Sequence, residues 1–225
     1  MHQRDSIHPT YARGRGCFYA KEMLETFLRR PVSSGEKFAD LVRLLGLLSL
    51  VITAAAWGIT EMTAISMAVC ALAIPRLFGA RPALDASFGI AVLTAAWSIV
   101  LGLYSKWTNW DLVVHAATNG LIAALAVMVL LSVGLLASSQ GLRFPRSSFA
   151  LVTTVVGLTL GVIWEYIEWA GNKFMDSTIF VNYTDTLGDI AAGGLGSLAA
   201  GCAMRFFLAQ QRTAPISIMA DAVHG

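Results

Sequence analysis

Six stretches of this chain are too long and too apolar for the surface helices of a 225-residue soluble protein, and each matches the thickness of a bilayer. They lie at about residues 41–60, 62–78, 84–104, 112–138, 149–171 and 186–208. A hydrocarbon layer about 30 Å thick calls for roughly 20 residues of helix at 1.5 Å each. A soluble helix would carry one apolar stripe, whereas most of these are apolar all round. Only 13% of residues are charged, against roughly 25% in a typical soluble domain. The sequence therefore predicts an all-α fold, a polytopic membrane helix bundle of about six transmembrane helices.

The basic residues orient it. Arg4, Arg13, Arg15, Lys21, Arg29, Arg30, Lys37, Arg43, Arg76, Arg81, Arg143, Arg146, Arg205 and Arg212 fall on one side of the alternating spans. Lys106 and Lys173 fall on the other. Positive charge is retained in the cytoplasm, so the N and C termini are expected to be cytoplasmic. Residues 1–40 then form a cytoplasmic tail, 41–210 the membrane domain and 211–225 a disordered cytoplasmic tail. The first apolar run begins only after that polar 40-residue stretch, which does not fit a cleavable signal peptide. Within the first tail, Ala20, Met23, Leu24, Phe27 and Leu28 recur at helical spacing before Pro31. Two readings fit: a short interfacial helix with arginines near anionic headgroups, or a lead-in to the first span. Residues up to about 12 and beyond Thr213 read as disordered.

Ionisable residues are unevenly shared. The first three spans carry almost none in their interiors and are read as structural packing, whereas the last three carry several. The fourth opens Asp111-Leu-Val-Val-His115-Ala-Ala-Thr118-Asn119, a polar stripe on one helical face. Such a stripe is costly against lipid and should face the bundle interior. His115 is the only histidine outside the two tails. The fifth ends Glu165-Tyr-Ile-Glu168-Trp169, its glutamates at i, i+3 above Gly157 and Gly161. The sixth opens Asp185-Thr-Leu-Gly-Asp189, continued on that face by Gly193, Ser197 and Gly201. Asp185 alone also fits a helix N-cap, but Asp189 lies a full turn inside.

The expected topology brings these three motifs to the same outer depth. With Glu61 and Asp176 they give the outer side a formal charge of −5 after Lys106 and Lys173. Clustered carboxylates in a low dielectric either bind a cation or take up protons. An oxygen-rich site with one imidazole suits Mg, Ca, Mn or Fe, so a divalent metal ion is expected. His115, Glu165, Asp185 and Asp189 are the expected metal ligands, with Glu168 and Asp111 in catalytic roles. Cys17, Cys70 and Cys202 are scattered, Cys17 in the tail and the other two inside spans, and are expected to act as buried small apolar residues rather than ligands. Trp57, Trp97 and Trp107 fall near helix ends, as in an interfacial aromatic belt.

The Asp111-x-x-x-His115 pair, the Glu165-Tyr-Ile-Glu168-Trp169 string and the Asp185-Thr-x-x-Asp189 string together resemble the motifs of the YjdF-like family. These are small bacterial inner-membrane proteins, and the resemblance spans roughly residues 40 to 210. It implies a multi-pass protein of the bacterial inner (plasma) membrane and implies little chemistry. Ala116 stands where that family often has an aromatic residue after the histidine, so the pocket need not share its shape.

Three functions fit these features. One is a metal-dependent enzyme acting on a lipid or isoprenoid near the outer leaflet, with Glu168 moving a proton. Another is a non-catalytic membrane subunit or assembly factor whose polar site fixes packing. The third is a cation or proton transporter, although no charged relay continues inward and no inverted repeat is evident. Membrane lipids are the expected partners, and no nucleic acid is. Topology is directly testable: a reporter fused after Arg212 should read as cytoplasmic, and one inserted between Lys173 and Asn182 as external. A cytoplasmic signal from the second fusion would invert the arrangement.

Overall fold

The computed structural model describes residues 21–136 and 145–208. Arg4, Arg13, Arg15, Cys17, Phe18, Tyr19, Ala20, Arg143 and Arg212, with both expected disordered ends, lie outside the described residues. The described chain is helical throughout, with no strand among the described residues. Helix α1 covers residues 21–28, α2 Ser34–Ala56, α3 Ile59–Ala71 and α4 Ala73–Leu77. Then follow α5 Pro82–Val100, α6 Leu103–Lys106, α7 Trp110–Ser132, α8 Arg146–Phe174 and α9 Tyr183–Leu208. With α3 and α4 taken together, six helices are long and apolar enough to cross a membrane.

Several boundaries differ from the sequence-based expectation for local reasons. Helix α2 begins at Ser34 rather than near residue 41 because Ser33 and Glu36 form a capping box. The Ser33 hydroxyl accepts from the Glu36 amide at 3.2 Å, and Glu36 accepts from the Ser33 amide at 3.0 Å. The second span is interrupted at Leu72, shortly before Pro75, which has no amide to continue the ladder. The third stops at Val100 because Gly102 adopts a left-handed conformation (φ 62°), which sets Tyr104 on a separate short helix.

The bundle is built inside out relative to a soluble one. Along α2 the buried positions are Ala39, Val42, Gly46, Ser49 and Thr53, while Leu41, Leu44, Leu45, Leu48 and Val51 face outward. Small residues let helix backbones approach, and bulky apolar ones are left for lipid. The buried hydroxyls satisfy themselves locally, Ser49 on the Leu45 carbonyl at 2.8 Å and Thr53 on that of Ser49 at 2.9 Å. Helices α2, α3 and α5 pack as one group around Val42, Ile65, Leu84 and Phe88. Helix α9 packs most closely with α7 and α8, and α5 joins the two groups through α7.

The tightest seam runs between α7 and α9. A Cβ on Gly196 would overlap the Ala116 carbonyl oxygen, and one on Gly120 would come to 2.6 Å from the Gly196 oxygen. Backbone thus meets backbone directly. On the other side of α9, a Cβ on Gly157 would overlap the Ser197 hydroxyl, and one on Gly201 would reach 2.8 Å from the Ala150 Cα.

The ions at the ends of the first three spans are paired: Arg43 binds both Asp85 oxygens, at 2.5 and 2.6 Å, and also Asp40 at 2.8 Å. Three expectations are refined or corrected. Arg76, 5% exposed, donates to the carbonyls of Phe27 and Arg29. It thereby ties the end of α1 to the bundle, and α1 is a separate helix rather than a lead-in to α2. Trp97 is more than a belt residue, since its indole donates to the Ser49 hydroxyl at 2.9 Å and its ring stacks edge-on with Trp57. Cys70 and Cys202 are exposed on the outside of the bundle, not buried; a thiol is apolar enough to sit there.

Two substitutions test this packing. Gly196→Val should force α7 and α9 apart and cost roughly 3 kcal/mol or more, read as lost thermal stability in detergent. Asp85→Ala leaves the Arg43 guanidinium half-paired and should cost about 3 kcal/mol, whereas Arg81→Ala, at a largely surface contact, should cost under about 1 kcal/mol.

Candidate functional site

The polar stripes meet where α7 and α9 begin and α8 ends. Asn109, in a left-handed conformation (φ 61°), turns the chain into α7 and places Asp111 in the first turn and His115 one turn deeper. His115 Nε2 lies 3.3 Å from Asp111 Oδ1 and 4.0 Å from Asp189 Oδ1. Asp189 comes from α9 and is 2% exposed. Its Oδ1 accepts no hydrogen bond among the described residues. An orphaned carboxylate oxygen in such a place is costly, and costs of that kind point to a ligand.

Helix α8 adds Glu165, 9% exposed, and the half-buried Glu168 one turn on. Two sets of side chains are close enough to hold an ion: Asp111, His115 and Asp189, and His115, Glu165 and Glu168. In each set one ligand atom per residue lies within 4.8 Å of the others. His115, Glu165 and Asp189, placed together by the sequence reading, do converge here, and Asp111 and Glu168 lie beside them.

The other carboxylates on that side are elsewhere. Asp185 is half-buried near the start of α9 and belongs to neither set. It is not the N-cap. Asn182 fills that role, its Oδ1 accepting from the Thr184 amide at 2.9 Å and the Asp185 amide at 3.1 Å. Asp176 lies in the α8–α9 connection, accepting from the Thr178 hydroxyl at 2.6 Å, the Thr178 amide at 2.9 Å and the Thr60 hydroxyl at 3.1 Å. Glu61 sits in the first turn of α3. Thr118, on the expected stripe, bonds the Val114 carbonyl of its own helix at 2.7 Å.

Sequence reasoning undervalued the floor. Asn119, 6% exposed, lies one turn below His115 and wedges its amide between α8 and α9. A Cβ on Gly161 would come to 2.7 Å from the Asn119 Nδ2, and one on Gly193 would overlap it. Glycines thus make room for a polar plug. The signal was the i, i+4 placement of Asn119 under His115 together with glycines at matching depth.

The loop anchor gives a pH dependence. Hydrogen bonds from the Thr178 hydroxyl and amide hold the Asp176 carboxyl below its ordinary range. A depressed folded pKa stabilises fully above the ordinary value of about 3.9 and fades as pH falls through the lower, folded value. Protection of the Thr178 amide from exchange, corrected for intrinsic rate, should therefore persist at pH 5 and drop in strong acid. Asp176→Ala should remove it at every pH; protection that survives the substitution would discount the anchor.

No curated relative and no solved structure matches the chain. One family does, under the description Predicted membrane protein (DUF2238), over residues 38–210, a stretch that holds every carboxylate and the histidine of the cluster. By that match the chain belongs to this family of predicted membrane proteins.

Proposed function

We propose that the cluster binds a divalent metal ion and that the protein is a metal-dependent enzyme acting on a lipid or isoprenoid at the outer leaflet of a bacterial inner membrane. The observation that carries the reading is the Asp189 Oδ1, fully buried, without a hydrogen-bond partner among the described residues, and facing His115. A cation would satisfy that oxygen and compensate its neighbours. The donor set of carboxylates with one imidazole suits a hard or borderline ion such as Mg, Ca, Mn or Fe. Asp111, His115 and Asp189 would hold it, and a bound ion would supply Lewis acidity. Glu165 and Glu168 lie beside it, Glu168 being the less buried and so the more open to an incoming substrate. The motif resemblance to YjdF-like proteins agrees with the compartment and adds no chemistry.

Conduction is less favoured because the Asn119 amide fills the space directly below the cluster and the α7–α9 seam below it is backbone against backbone. A role in packing alone leaves the buried, unpartnered Asp189 without a reason.

Elemental analysis of the full chain purified in mild detergent tests the proposal. Bound divalent metal should be present, and His115→Ala or Asp189→Ala should lower it. Saturating metal at a hundred times its Kd would stabilise the wild type by about 2.7 kcal/mol, and that increment should vanish in either variant and in chelator. A metal-free protein made more stable by Asp189→Asn would falsify the metalloenzyme reading in favour of shared protons.

A further inference from the structure

We infer that this centre takes two divalent cations, the second one held by Glu165 and Glu168. The inference rests on the metal reading above and deepens it.

Geometry divides the ligands. The two ion-holding sets, Asp111–His115–Asp189 and His115–Glu165–Glu168, share His115 and nothing else. A hard divalent cation takes its oxygens at roughly 2.0–2.6 Å, so two ligand atoms on one ion stand at most about 5 Å apart. Each set fits within that reach, at 4.8 Å or less, and the five residues do not make one such set. A neutral imidazole has a single lone pair to give. His115 Nε2 already faces Asp111 and Asp189, at 3.3 and 4.0 Å, so it serves the first ion. The second is left with the two α8 glutamates, one turn apart on the same side of the helix. Two carboxylates with water filling the remaining positions is the habit of magnesium and manganese. The second ion should therefore be the weaker bound.

Charge leads to the same count. Asp111, Asp189, Glu165 and Glu168 bring four negative charges when ionised, and one divalent ion neutralises half of them. No lysine or arginine pairs with these four among the described residues: Lys106 turns its ammonium to the Leu101 carbonyl at 2.6 Å, and Lys173 is exposed. The unpartnered Asp189 oxygen points into this same centre, so it is not a mere accumulation of acids. Carboxylate clusters between bundle helices commonly hold paired ions.

The test is a Mn²⁺ titration of the detergent-purified full chain, with free ion followed by its paramagnetic resonance signal and Mg²⁺ as competitor. Two classes of site are expected, close to two equivalents in all. Glu165→Gln and Glu168→Gln preserve side-chain volume, and each should remove the weaker class while moving the tighter Kd less than about threefold. Asp189→Asn should weaken the tighter class at least tenfold. Thermal transitions in chelator report whether each variant is folded, and either glutamine variant suffices if the other is not. One equivalent untouched by both glutamine substitutions would overturn the second ion and leave the metal reading standing. One equivalent lost in all three variants means a single ion shared by the whole cluster, and also overturns it. No bound Mn²⁺ in the wild type overturns both.

Discussion

The direct contact of α7 with α9 is the constraint on which the rest of this architecture depends. In lipid there is no hydrophobic drive to push apolar helices together, so association rests on close packing. Gly120 and Gly196 let the two backbones touch, and Gly157 and Gly201 let α8 close on the other flank of α9. That contact brings two carboxylate-bearing helix starts and one helix end to the same level. Without it, Asp189 would have no His115 to face, and a buried aspartate would only be a liability.

The two ends of the bundle handle charge in different ways. Where α2 and α5 start and α4 ends, opposite charges pair: Arg43 with Asp85 and Asp40, Arg76 with Asp40 at 3.6 Å, Arg29 with Glu36 at 2.8 Å. Each cation there has carboxylates or carbonyls around it, so the desolvation of one group is offset by its neighbour. At the other end the acids gather around one histidine. The buried ions at the first end are paired with one another, as in a structural network, whereas the buried acids at the second have a single histidine among them and no lysine or arginine partner among the described residues.

Much of this was legible in the sequence, and the exceptions share a cause. The six spans follow from apolar length alone, and the i, i+4 and i, i+3 spacings put Asp111 with His115 and Glu165 with Glu168 because a helix repeats every 3.6 residues. Asp189 was singled out by its depth in a span. The Arg43–Asp85 pair was not foreseen because its partners are 42 residues apart, and no periodicity links them. The role of Asn182 as cap, in place of Asp185, turned on where the helix starts, which composition leaves open within a turn. The capping box at Ser33 and Glu36 was readable as a local pattern, but it lay outside the apolar run that set the expected boundary.

The plug under the cluster links packing to function. Asn119 can lie between α8 and α9 because Gly161 and Gly193 have no side chains there. Its amide is polar enough to border the carboxylates above and compact enough to let Ser197, fully buried and bonded to the Gly193 carbonyl at 2.7 Å, close the next layer. Packed backbone of α7 and α9 thus closes the cluster toward the other end of the bundle. The closest packing in the bundle lies immediately beneath its most unbalanced charge. That arrangement suits chemistry confined to one leaflet better than passage between two compartments, since the helices that would have to part for passage are those whose contact assembles the site.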